Sequence, residues 1–345
     1  MPDLQEVFRM ATQKVRQDPG ALDRQLGKQR RADRNRRLSV FATVLVLVAA
    51  TVTAFALTRS DTRGVPANGA TISIGPGAGP GTMIDLRTGD VTPLPTSIAT
   101  SGTYYAVSPD HTRVAYNACC NPPAPLFVAN VDGTQIRQVT PVGRDAFGAQ
   151  WSSDGSLLVY QQRDGYTYHL GNLVVQDIAT GQRTQLTNFD QTQPWNWWFT
   201  FPSFAPDGRS VLFQLPRGNP NNPIWDLWSV PVAGGKPTLV RRDAGYGGYS
   251  PNGKWLAYLS PINGHDFTGL KLWITGVHGG TPRALVAKGH LGWLRWSPDG
   301  TTISYSNGGS IYVMDVATGS STRIGAGGTA EWFDDHTLIV GPGSS

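Results

Sequence analysis

A ten-residue pattern recurs five times in this chain at one phase, and few architectures can use it. Each copy starts on an aromatic or apolar residue, makes a Ser/Ala-Pro-Asp-Gly-type turn and runs into an alternating strand. The copies are VSPDHTRVAY at Val107–Tyr116, WSSDGSLLVY at Trp151–Tyr160, FAPDGRSVLF at Phe204–Phe213, YSPNGKWLAY at Tyr249–Tyr258 and WSPDGTTISY at Trp296–Tyr305. In the last copy Pro298 presets φ, Asp299-Gly300 reverses the chain, and Ile303 and Tyr305, two residues apart, share one face of the strand. Val114/Tyr116, Leu158/Tyr160, Val211/Phe213 and Leu256/Tyr258 hold the same places. These positions are predicted to be core, not catalytic.

A second strand and turn follow each copy: LFVANVDGT from Leu126, LVVQDIATG from Leu173, LWSVPVAGG from Leu227, LWITGVHGG from Leu272 and IYVMDVATG from Ile311. Turn-to-turn spacings of 44, 53, 45 and 47 residues suit four-stranded units. Sheets of such short strands bury both faces only by stacking on neighbours, as propeller blades do. Near the C-terminus WFDDHTLIV (Trp332–Val340) repeats the first element, and MIDLRTGDVTPLP from Met83 supplies the second. The expectation is an all-β, six-bladed propeller over 71–345, closed by strands from both ends of the domain. A seventh blade would have to come from ATISIG at Ala70–Gly75, which is undersized. The 41 glycines and 25 prolines supply the turns, and 11 Trp, 11 Tyr and 12 Phe fill the sheet faces.

The N-terminal part reads differently. Residues 38–57, LSVFATVLVLVAATVTAFAL, carry no charge, and 20 residues at about 1.5 Å each cross a hydrocarbon layer. Arg30, Arg31, Arg34, Arg36 and Arg37 precede the run and only Arg59 and Arg63 follow closely, which predicts a single pass with the N-terminus inside the cytoplasmic membrane. The rival is a cleaved signal peptide, for which Ala54-Phe55-Ala56 has the right spacing. The long leading region and long apolar run favour an anchor. Either outcome exports the rest of the chain. The expected organisation is a basic, partly helical cytoplasmic tail at 1–37, a transmembrane helix at 38–57, a linker at 58–70 and then the propeller. Leu4–Arg24 has helical spacing and is expected to lie on lipid, bind a cytoplasmic regulatory partner or act as a plain leader. Residues 1–37 hold ten Lys or Arg against five Asp or Glu, which accounts for the formal charge of +5. No basic field is left to follow a phosphate backbone, so nucleic acid is excluded as a partner.

With their Ser-Pro-Asp-Gly turns, the repeats from roughly Ile72 to Val340 resemble the TolB-like, WD40-like propeller repeats called PD40. The resemblance implies the propeller fold. TolB itself is a soluble periplasmic protein with an additional α/β domain, where this chain has an apolar run instead. The repeats are also similar to the propellers of prolyl-oligopeptidase-type enzymes, whose hydrolase domain has no counterpart here.

Chemistry-bearing motifs are absent from the sequence: no Gly-x-Ser-x-Gly elbow, no His-Glu-x-x-His helix, no phosphate-binding glycine loop. The six histidines are scattered. No catalytic, cofactor-binding or metal-ligating residues are predicted. Adjacent Cys119 and Cys120 are the only cysteines, and in an exported domain they remain thiols, bond to each other or bridge to another chain. The densest aromatic run is Trp195, Trp197, Trp198 and Phe199, preceded in the same repeat by Tyr166, Tyr168 and His169. Such residues either seal a blade or form a recognition surface. The leading expectation is a membrane-anchored, non-catalytic binding module of the cell envelope for a protein, peptide or glycan, with signalling through the tail as an extension. The alternative is an envelope hydrolase or lyase with a site at the propeller channel.

Overall fold

Each turn-and-strand copy forms the inner hairpin of one sheet in the computed structural model, which describes residues 81–99, 102–118, 124–164, 171–189, 201–219, 222–262 and 269–341. Blade 1 runs outward as β3 (Gly102–Val107), β4 (Arg113–Ala118), β5 (Leu126–Asn130) and β6 (Arg137–Gln138). Blade 2 is β7 (Arg144–Trp151), β8 (Leu157–Asp164), β9 (Asn172–Asp177) and β10 (Arg183–Gln185). Blade 3 is β11 (Ser203–Phe204), β12 (Ser210–Asn219), β13 (Asn222–Pro231) and β14 (Thr238–Arg241). Blade 4 is β15 (Gly245–Tyr249), β16 (Trp255–Pro261), β17 (Leu270–Gly276) and β18 (Gly279–Gly289). Blade 5 is β19 (Leu291–Trp296), β20 (Thr302–Asn307), β21 (Ser310–Asp315) and β22 (Ser321–Ala326).

Blade 6 joins the two ends of the described chain. Its inner strands are β23 (Thr329–Trp332) and β24 (Thr337–Gly341), and its outer ones are β1 (Thr82–Asp85) and β2 (Val91–Pro93). Met83 lies opposite Ile339 in an antiparallel ladder, and the Gly81 amide donates to the Val340 carbonyl at 3.1 Å. A short helix, α1 (Thr96–Ala99), leads from β2 into β3. The inner strands touch in the order β3, β7, β11, β15, β19, β23 and back to β3, which makes a closed six-bladed ring.

The core lies between blades. Ile303 and Tyr305, with the four equivalent pairs, are all 4% exposed or less. Val159, Leu173 and Val175 of blade 2 pack on Val211 and Phe213 of blade 3; Ile311, Val313 and Ile324 of blade 5 pack on Ile84, Trp332 and Leu338 of blade 6. Full burial of such side chains stabilises by roughly 1.5–3 kcal/mol each.

In four blades the serine of the turn is buried and holds the reversal shut. Ser297 Oγ donates to Asp299 Oδ1 (2.6 Å) and accepts from the Thr302 amide (2.9 Å), and Ser108, Ser152 and Ser250 repeat this pattern. Blade 3 has Ala205 at this place, and its Asp207 carboxylate holds only the Arg209 amide across the turn. The fourth turn position is left-handed, with φ +69° at Gly300; His111 takes the same place in blade 1 at +57°, a conformation costly for a residue with a Cβ. The Ser108 hydroxyl, above all, holds the Asp110 carboxyl down at about 2. Burial pushes the Asp299 carboxyl up, but hydrogen bonds from Ser297 and Thr301 outweigh it and leave it below the ordinary range. These carboxylates therefore stay charged.

A candidate binding funnel on the propeller axis

Three side-chain rings line the axis, and each can be read by counting back from the first residue of every repeat. That first position is Val107, Trp151, Phe204, Tyr249, Trp296 and Trp332, one per blade. All six line one cavity of about 400 Å³ that opens on the face of the Ser-x-Asp turns, with turn prolines such as Pro109, Pro206, Pro251 and Pro298 at its edge. The three tryptophans also clip the blades together. Trp151 Nε1 donates to the Ala106 carbonyl (2.9 Å), Trp296 Nε1 to that of Gly248 (2.9 Å) and Trp332 Nε1 to that of Arg295 (3.3 Å). Each acceptor is the residue just before the equivalent position of the preceding blade. A hydrogen bond of this kind contributes about 1 kcal/mol.

One residue further back the ring is Ala106, Gln150, Ser203, Gly248, Arg295 and Glu331. Gln150, Ser203 and Glu331 line the funnel; Arg295 lines a small cavity next to it. Arg295 Nε donates to Glu331 Oε2 at 3.0 Å, and both side chains are almost fully buried, at 14% and 13% exposed. Burial pushes the Glu331 carboxyl above its ordinary value, against the pull of Arg295 and the Trp332 amide. The guanidinium also donates to the Leu294 carbonyl (2.9 Å) and lies 4.4 Å over the Trp293 ring. The Ser203 hydroxyl is buried with no partner.

Two residues further back stand Tyr104, Gly148, Phe201, Tyr246, Trp293 and Thr329. Tyr104 stacks on Trp293 at 4.9 Å, Phe201 stacks on Tyr246 at 4.9 Å, and Phe201 meets Trp293 edge-on at 5.7 Å and 88°. Blades 1 and 5, and blades 3 and 5, are not neighbours, so these rings meet across the axis. A β-bulge puts Tyr246 and Trp293 there. In blades 2, 4 and 5 two inner-strand residues face the core tyrosine of the next strand, Tyr160, Tyr258 or Tyr305, and the first of the two has positive φ. Glycine is the natural occupant, and a Cβ on Gly148 would come within 3.3 Å of Pro202 Cδ. Phe201 (+41°), Tyr246 (+51°) and Trp293 (+45°) take this conformation as aromatics. Burial, then the nearby Tyr104, pushes the Tyr246 hydroxyl up to about 12, so it remains protonated.

The residues singled out in the sequence lie elsewhere. Trp195, Trp197, Trp198, Phe199, Tyr166, Tyr168, His169, Cys119 and Cys120 are outside the described residues, as is the apolar run 38–57. The strand ends that bracket the three segments, Ala118 and Leu126, Asp164 and Asn172, and Gln185 and Ser203, point to the face opposite the funnel mouth. Among the described residues no three His, Cys, Asp or Glu are grouped to hold a metal, and no helix is long and apolar enough to cross a membrane.

No protein-family model matches the chain. A stretch of 137 residues is 28% identical to an uncharacterized protein of Agrobacterium fabrum, covering 36% of this chain and 43% of that protein. The match thus spans less than half the length of the curated relative. Among solved structures, a putative TolB from Agrobacterium tumefaciens superposes with a TM-score of 0.59 at 16% identity, over 76% of this chain and 97% of that one. An oligogalacturonate lyase in complex with manganese gives 0.53 at 20% identity, over 76% and 77%. At these identities the likeness is one of fold: the described chain is a six-bladed β-propeller of TolB-like architecture.

Proposed function

We propose that the chain is a membrane-tethered binding module of the cell envelope whose funnel on the turn face receives a segment of a protein or peptide partner. One observation carries this reading: six inner strands converge on a blind, aromatic-walled cavity of about 400 Å³ with a few polar groups in its wall, the usual composition of a recognition pocket. The hydrolase or lyase alternative has less behind it, because the described residues group no metal ligands and the one carboxylate they bring to the funnel is held by an arginine. Replacing Phe333 at the funnel wall by benzoylphenylalanine and irradiating intact cells is expected to give a covalent adduct. The same replacement at Val142, 93% exposed between β6 and β7 on the opposite face, is expected to give none. No adduct at 333, or equal adducts at both, would overturn the placement.

The tether rests on the uncharged run 38–57 and the arginines before it. Reporter fusions at Asp3 and Ser345 are expected to report opposite compartments, the N-terminus inside; a cytoplasmic C-terminal reporter would remove the anchor from the reading. The aromatic residues Trp195–Phe199 with Tyr166, Tyr168 and His169 are proposed as a second contact surface, since the strands flanking both segments point to one face. A glycan ligand and signalling through Leu4–Arg24 are extensions of the same proposal.

A further inference from the structure

The funnel interior is electrically one-sided. Among the described residues its wall contains one carboxylate, Glu331, and no Lys or Arg; His111 at the mouth is the only basic residue type among those lining side chains. Arg295, which pairs with Glu331, lines the neighbouring small cavity and not the funnel. Around the mouth the lining residues Pro109, Ser153, Pro206 and Pro298 are each followed by an aspartate, namely Asp110, Asp154, Asp207 and Asp299. Hydrogen bonds within the turns keep three of these in their charged form. Arg113 offsets Asp110 in part, and the remaining negative charges stand around a low-dielectric opening that focuses their field into it.

The walls suit the same ligand. Indole and phenyl faces attract cations, and this protein already uses them so: Arg113 lies 4.7 Å over Trp151 just outside the funnel, and Arg295 lies over Trp293 below it. Building on the funnel reading above, we propose that the funnel is a pocket for a basic side chain, the ammonium of a lysine or the guanidinium of an arginine presented by an extended peptide, with Glu331 as its counter-charge and the ring of aromatic residues as its walls. A ligand cation gives the Glu331 carboxylate a second partner beside Arg295. It also fills an aromatic cavity with an aliphatic stem, which suits side chains that are apolar along their length and charged at the tip.

The test is selection of a phage-displayed random dodecapeptide library on the full chain, purified in non-ionic detergent. Enriched peptides are expected to share a Lys or Arg whose change to Ala weakens binding at least tenfold. Glu331→Gln, which keeps an acceptor for Arg295, is expected to weaken the same peptides by a similar factor, while Val142→Ser leaves them unchanged. If E331Q melts early, the exchange Arg295→Glu with Glu331→Arg keeps the pair and is expected to reject basic peptides in favour of acidic ones. Ser153→Trp, an exposed position at the mouth, separates the two levels of the argument. Peptides that are lost with S153W but need no basic residue overturn the cation pocket and leave the funnel reading standing. Peptides indifferent to S153W, or no enrichment at all, count against both.

Discussion

A chain lacking its last 14 residues is expected to show no cooperative unfolding transition. The deletion removes Trp332 and all of β24, including Leu338, Ile339 and Val340 at 0%, 1% and 5% exposure. Those four side chains each contribute about 1.5–3 kcal/mol by burial, a sum that reaches the whole stability of an ordinary domain, about 5–15 kcal/mol. Their loss also strips β1 of its inner ladder partner and leaves Ile84 and Ile311 facing solvent. Circular dichroism melts and urea titrations of the intact and shortened chains decide the matter. If both melt alike, the C-terminal strands are an accessory and the ring closes in some other way.

Arg295→Ala is expected to cost about 3–5 kcal/mol at pH 7.5, the usual penalty for leaving one member of a buried ion pair uncompensated. The loss should shrink on acidification. Burial already holds the Glu331 carboxyl above its ordinary value, and removing the arginine takes away the main opposing influence. A carboxyl whose folded pKa exceeds its unfolded one costs nothing below the unfolded value, and its penalty grows as pH rises through the folded value. The difference between variant and wild type should therefore be smaller at pH 5 than at pH 7.5. The turn aspartates do not obscure the comparison. Their folded values are depressed, to about 2 for Asp110, so their contribution is present above the ordinary carboxylate range and is lost only as pH falls from there toward 2. Urea midpoints at both pH values measure the effect. A deficit under about 1 kcal/mol, or one independent of pH, would show that Glu331 is not held as a buried charge.

The ring of blades was legible because its signals are local. Ile303 and Tyr305 stand two residues apart on one face, and the Ser-x-Asp-Gly turn before them closes on its own hydroxyl and carboxylate within five residues. The closure of blade 6 was legible for a similar reason: Trp332–Val340 and Met83 onward are the two halves of one repeat. The funnel was not legible. In the sequence Trp151, Trp296 and Trp332 mark only where a repeat begins, yet their indoles bond carbonyls 37 to 48 residues earlier and wall a cavity. Arg295 and Glu331 lie on different blades and pair only when the ring is closed. The third ring was hidden further by the bulge, which breaks the period of two: in Gly292-Trp293-Leu294-Arg295-Trp296 simple alternation puts the residues on the wrong faces. The nearest sequence signal was Gly148, aligned with aromatic residues in four other blades and marking where the backbone turns left-handed.

The stacked rings on the axis bear on how such an array can change its number of units. Repeats that touch only their neighbours can be duplicated or lost one at a time, since every junction resembles every other. Tyr104, Phe201, Tyr246 and Trp293 break that equivalence, because blade 5 meets blades 1 and 3 at the centre as well as blades 4 and 6 at its sides. Inserting a seventh unit would widen the axis, separate Tyr104 from Trp293 and leave the left-handed backbone at Phe201, Tyr246 and Trp293, a cost of about 1–2 kcal/mol per residue, without the contacts that offset it. The copies have thus become individual parts, and the count of six is held from the inside of the ring.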